Sequence, residues 1–169
     1  QDSKAIVLDP SGNVVRFEMN DKCAAGTGRF LEVMARTLEV PLADMGRLAL
    51  ESRDPAVISS TCTVFAESEV VSLAAQGRAV EDILAGLCRA VAVRAAGLAG
   101  RARIQPPAVM TGGVARNAAV VAMVAEKLNI PLTVPPEPQF SGALGAALFA
   151  RDTAVPQPPR VSRAQEISS

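Results

Sequence analysis

The stretch Val80 to Leu98, VEDILAGLCRAVAVRAAGL, constrains the fold of this chain more than any other. Charge is confined to Glu81, Asp82, Arg89 and Arg94, and alanine, valine and leucine fill most of the rest, so a helix here is apolar around much of its circumference. Such a helix is stable in water only when other elements cover it, which predicts a layered fold around one central, mostly buried helix. A chain of 169 residues with 49% hydrophobic content is long enough to supply that cover as one domain. The longest apolar stretches, Ala90 to Ala99 and Ala118 to Val124, fall short of the roughly 20 residues a bilayer requires, so no membrane span is expected.

The covering elements follow from pattern and turn chemistry. Lys4 to Leu8 and Val14 to Met19 are strand-like runs joined by Asp9-Pro10-Ser11-Gly12-Asn13, a β-hairpin signature. Phe30, Leu31, Met34, Ala35 and Leu38 recur at helical spacing, with Pro41 as a stop. Leu42 to Ser59 reads as a second helix followed by an irregular link broken at Pro55, and Thr63 to Gln76 as a helix closed by Gly77. Beyond the central helix come a short buried strand, Ala108 to Met110, a Thr111-Gly112-Gly113 turn and a helix from Asn117 to Leu128. A strand at Leu132 to Val134 and a small helix from Ser141 to Ala150 complete an α/β layer fold. The domain is expected over 1–150. The proline-, serine- and arginine-rich remainder, 151–169, is expected to be a disordered tail because it cannot offset its ordering entropy.

Composition narrows the chemistry. Lysine plus arginine (17) balance aspartate plus glutamate (17), so no net field draws the chain to nucleic acid, to a membrane surface or to acidic substrates. The absence of histidine removes the commonest neutral-pH base and the commonest nitrogen ligand, which leaves cysteine and carboxylate to hold any metal. Three cysteines form no disulfide framework, and QDSKAIVLDP lacks the basic and apolar regions of a secretory leader, so a cytoplasmic protein is expected.

Two cysteines have matching settings. In NDKCAAGTGRFLEV, Cys23 sits among small residues just ahead of a helix; in SSTCTVFAESE, Cys62 opens another helix among hydroxyl residues suited to N-caps. Free N–H groups and the macrodipole at a helix N-terminus favour an anionic sulfur or metal-sulfur cluster. Two ligands are half of the usual four, and a twofold dimer would bring two Cys23 and two Cys62 together on its axis. The competing reading makes each a small buried hydrophobe, since the pair forms no CxxC. That reading is preferred for Cys88, inside the central helix.

MTGGVARN, from Met110, carries a strand through paired glycines into a helix; such a junction lets a ligand approach backbone N–H groups, or serves only a positive φ. PEPQFSGALG, from Pro136, is likewise either a ligand loop or close helix packing, and Gln1 to Lys4 either part of a site or a solvated end.

Taken in order, QDSK, MNDKCAAGTGRFLEVMA, TCTVFAESEVVSLAAQG, MTGGVARN and PPEPQFSGALGAALFA resemble the ATP-dependent activators of 2-hydroxyacyl-CoA dehydratases, relatives of the ATPase subunits of benzoyl-CoA reductases. The resemblance covers Gln1 to Ala150 and implies a ribonuclease H-like lobe of the acetate and sugar kinase, heat-shock chaperone and actin superfamily. It implies a homodimer bridged by one 4Fe-4S cluster with Cys23 and Cys62 as ligands. Gly112, Gly113, Asn117 and Gln139 would contact nucleotide, as would Ser3 and Lys4, while Gln1 or Asp2 would lie near the phosphates, the bound Mg2+ or the attacking water. The implied partners are a dehydratase or reductase component and a ferredoxin or flavodoxin donor. In that family a first lobe carries another phosphate-binding hairpin, so this chain is expected to be a C-terminal lobe, from truncation or an incomplete gene model, without competent ATPase by itself. The rival readings are a sugar-kinase-like phosphotransferase lobe whose cysteines are structural, and a non-catalytic lobe that mainly dimerises.

Overall fold

A computed structural model of the chain describes residues 2–20, 27–59 and 62–153. Two compact units divide it, 1–139 and 140–169. In the first unit the order is β1 (Lys4–Leu8), β2 (Val14–Met19), α1 (Gly28–Thr37), α2 (Met45–Leu50), α3 (Thr63–Ala75), α4 (Val80–Ala102), β3 (Ala108–Val109), α5 (Ala118–Leu128) and β4 (Leu132–Thr133). The second unit contains α6 (Ser141–Thr153), which exposes Leu144 and Phe149 and runs three residues beyond the boundary expected at Ala150. The remaining part of the expected tail lies outside the described residues.

The central helix is α4, as its composition demands. Ile83, Leu84, Leu87, Cys88, Val91 and Ala92 are buried against Phe30 and Met34 of α1, Met45 and Ala49 of α2, and Ala119, Val120 and Val124 of α5. Glu81 and Asp82 occupy its first turn, where negative charge complements the helix dipole. It ends at Ala102, four residues past the expected end at Leu98, and is capped by Arg103 in the left-handed region (φ 56) with the Ile104 N–H on the Ala99 carbonyl. By length and composition α4 is apolar enough to cross a membrane, which the separate apolar stretches of the sequence did not suggest. Its burial among α1, α2 and α5 accounts for that composition. At Gly86 the link through Ala56 crosses α4 so closely that a Cβ would collide with the Ala56 carbonyl oxygen.

β1 and β2 pair antiparallel with Ile6 opposite Phe17 and a bulge between Val7 and Leu8. The Asp9 carboxylate closes the turn by accepting the Ser11 and Asn13 N–H groups, each at 2.9 Å, and the Asn13 bonds hold its pKa below the usual carboxylate range. Ala5 packs with Leu98 and Ala102, and Arg16 donates to the Ala102 carbonyl, so the hairpin is pinned to the end of α4. β3 and β4 pair in parallel, Ala108 opposite Leu132. The expectation of a buried β3 is met at Ala108 only; Val109 is exposed, because these two-residue strands have cover on one side.

Candidate functional site

The glycine turn after β3 is a built structure. Gly112 has φ 88, in the region glycine adopts without Cβ strain, and its N–H donates to the Pro138 carbonyl at 2.7 Å. A Cβ placed on Gly112 or Gly113 meets no atom within 4 Å, so the turn faces open space wide enough for a ligand to approach the backbone. Gly113–Arg116 then form one 3-10 turn, and Arg116 reaches across to donate to Gln139 Oε1 at 3.1 Å. Gly112, Gly113 and Gln139, three of the residues expected at a nucleotide, are thereby brought to one place, with Arg116 as an unforeseen neighbour. A groove of about 620 Å3 lined by Asp54, Val57, Leu73 and Arg78 involves none of them.

Asn117 belongs to the same turn but faces the other way. Its side chain is 9% exposed, caps α5 by accepting the Val120 N–H at 3.0 Å, and donates from Nδ2 to Cys88 Sγ at 3.6 Å. Sequence reasoning treated Asn117 as part of a ligand motif, although an asparagine directly ahead of an apolar helix is also an N-cap signature. Cys88 is buried, as expected, and burial pushes its thiol from the ordinary 9.0 up to about 11. A neutral thiol in the core is a poor metal ligand.

The front of the chain is held differently. The Ser3 N–H donates to Asn20 Oδ1 at 2.7 Å, and Lys4 Nζ pairs with the Asp2 carboxylate at 2.6 Å on the surface. The Lys4 hydrogen bond keeps the Asp2 carboxyl below its usual range. Gln1 lies outside the described residues.

Cys62 is exposed at the N-cap of α3. The neighbouring hydroxyls were expected to cap this helix; instead Cys62 holds the cap position and makes no capping bond, while Thr63 Oγ1 is closed off from solvent without a partner. Glu69, two turns along α3, anchors the approach by accepting from the Ser59 N–H at 2.9 Å and the Ser59 hydroxyl at 3.0 Å. α3 carries apolar residues on several faces beside Glu67, Ser68 and Glu69, and shows Val64 and Phe65 to solvent at 67% and 68%. Cys23 lies outside the described residues, but the helix that follows it is placed. A Cβ on Gly28, the first residue of α1, would meet Val114 Cγ2 of the glycine turn at 3.3 Å, and Thr37 at its end donates to Glu67 of α3 at 3.0 Å. Among the described residues no group of three or more cysteines or carboxylates could hold a metal ion.

Residues 1–150 match the BadF/BadG/BcrA/BcrD ATPase family. The chain belongs to that family. It is 56% identical over 154 residues to the activator of lactoyl-CoA dehydratase of Anaerotignum propionicum, covering 91% of this chain and 60% of that one. The solved activator of the 2-hydroxyisocaproyl-CoA dehydratase from Clostridium difficile, with bound ADPNP, superimposes with a TM-score of 0.87 at 50% identity over 90% of this chain and 57% of that one. The crystal structure of (R)-2-hydroxyglutaryl-CoA dehydratase component A of Acidaminococcus fermentans gives 0.85 at 51% identity, over 90% and 58%. The expected lobe of the kinase, chaperone and actin superfamily is thus the fold of this ATPase family member. The chain spans about three fifths of the length of these relatives.

Proposed function

We propose that this chain carries the nucleotide and cysteine half of an ATP-dependent activator of a 2-hydroxyacyl-CoA dehydratase. The observation that carries the reading is the setting of Cys62: an exposed thiol at the bare N-terminus of a helix whose Val64 and Phe65 lie uncovered beside it. A soluble helix with that surface fits against a partner, and a second copy supplies both the apolar cover and two further cysteines. Cys23 and Cys62 from each of two chains would make a set of four ligands. A 4Fe-4S cluster bound there would supply a one-electron carrier at the dimer interface. The N–H groups of α3 favour the negative charge of its sulfur ligands, and Ser59 held by Glu69 fixes the loop that leads to Cys62.

On the nucleotide side, the open face of Gly112 and Gly113 with Gln139 receives ATP or ADP from its adenosine end. Asp2, with Gln1, Ser3 and Lys4, faces the phosphates and Mg2+, the Asp2–Lys4 pair opening to do so. Val114 against Gly28 gives the glycine turn direct purchase on α1, the helix entered from Cys23, and Thr37 with Glu67 ties α1 to α3. A shift of the turn on nucleotide binding would therefore reach α1 and, through the Thr37–Glu67 hydrogen bond, α3. The remaining partners are the dehydratase component and a ferredoxin or flavodoxin donor, in the cytoplasm. All three relatives described above are named for dehydratases, which favours this reading over the benzoyl-CoA reductase subunit.

Anaerobic reconstitution with iron and sulfide, followed by iron analysis and native mass, tests the proposal. A dimer with about two irons per chain, lost in Cys23→Ser and Cys62→Ser but kept in Cys88→Ala, is expected. An iron-free folded monomer that phosphorylates a small hydroxylated substrate would establish the phosphotransferase reading instead.

A further inference from the structure

We infer that Asn117 is a positioning residue, which with Cys88 and Gly46 fixes the Gly112–Arg116 turn, and that it makes no contact with the nucleotide. The inference deepens the nucleotide reading above and rests on it for its affinity readout. Asn117 closes the 3-10 turn with its own N–H, on the Val114 carbonyl at 3.0 Å, and opens α5 with its side chain, so one residue sets the angle between turn and helix. Three helices converge on its amide. α5 donates the Val120 N–H to Oδ1, α4 presents the Cys88 sulfur to Nδ2, and α2 comes so near that a Cβ at Gly46 would stand 2.8 Å from Oδ1. Both polar atoms of the amide have partners in the core and the residue is 9% exposed, so the side chain is directed away from the open face of the turn. The other side of the turn is tied through the Gly112 N–H on the Pro138 carbonyl and through Arg116 on Gln139 Oε1, while the Asn117 anchor holds its buried side in register.

Gly46→Ala tests this from α2, because the added methyl would stand 2.8 Å from Asn117 Oδ1 and 3.0 Å from the Ala118 backbone nitrogen, and so must displace the amide while leaving Asn117 present. The full chain would be prepared as wild type, Gly46→Ala, Asn117→Ala, Cys88→Ala and Val124→Ala, the last a buried α5 truncation remote from the amide. Amide exchange of Gly112, Ala115 and Asn117 and ADP affinity by calorimetry would be measured below each variant's melting transition. Gly46→Ala and Asn117→Ala are expected to speed exchange at all three amides and to weaken ADP about tenfold, the scale of one lost anchoring hydrogen bond, with Cys88→Ala showing a smaller change in the same direction. Val124→Ala should lower the melting temperature and change neither readout. Weakened ADP binding in Asn117→Ala with unchanged exchange at the turn would make Asn117 a direct contact and overturn the inference. So would exchange in Gly46→Ala identical to wild type. Wild type that binds no ADP would defeat the nucleotide reading, while the exchange comparison would still decide the positioning role.

Discussion

The surroundings of Cys88 and those of Cys62 make an instructive pair. Both cysteines belong to apolar helices, yet one helix is enclosed and the other is left open. Around Cys88, α4 has apolar cover from α1, α2 and α5, and the polar side chain that intrudes there, Asn117, is satisfied at both ends of its amide. Around Cys62, α3 buries Ala66 and Val70 and leaves Val64, Phe65 and Val71 to water. The first region is covered by elements of the same chain, and the second leaves large apolar side chains exposed among its polar ones. Packing is closed in one place and open in the other, where the proposed dimer interface would form.

The contrast is sharpest in truncation experiments. Leu84→Ala, at a fully buried site in α4, is expected to cost about 2–5 kcal/mol in denaturant unfolding, from lost transfer energy and the cavity left behind. Phe65→Ala on α3 should stay within about 0.5 kcal/mol for the monomer while weakening self-association in sedimentation, so a large loss of monomer stability there would erase the distinction between the two regions.

Alkaline titration is the next largest effect. The Cys88 thiol is neutral in the folded state up to about 11 but ionises from 9.0 when unfolded. The unfolded state therefore loses its proton first, and stability is full below pH 9 and falls as pH rises toward 11. Two pKa units correspond to about 3 kcal/mol, and Cys88→Ala should abolish that limb of the stability profile. Exposed Cys62 should meanwhile react with iodoacetamide in the native state, where Cys88 resists until the chain unfolds. Gly86→Ala should cost about 1–3 kcal/mol by forcing the Ala56 carbonyl away from α4, with the loss visible as a lowered melting temperature. The smallest effect belongs to Asp82, whose carboxyl is held below the usual range by the Ser52 hydroxyl and then the Asp54 N–H. Its contribution is present above pH 3.8 and disappears as pH falls through the lower folded value, so Asp82→Asn should flatten the acid limb in a pH-resolved melting series.

Much of this was legible in the sequence because it depends on local rules. Pattern and turn residues located both hairpin strands and the six α-helices of the described residues, Asp9 to Asn13 announced its turn, and the apolar run from Val80 required a buried central helix. The glycine pair after β3 announced a turn, and Gly112 takes the positive φ, 88, that was one of the two readings of the pair. What required the tertiary structure was direction. Sequence spacing places Asn117 beside Gly113, but only the arrival of α2, α4 and α5 on one amide turns it inward. Composition makes α3 and α4 similar, yet packing encloses one and exposes the other, because burial depends on which elements arrive from elsewhere in the chain and not on the residues of the helix itself.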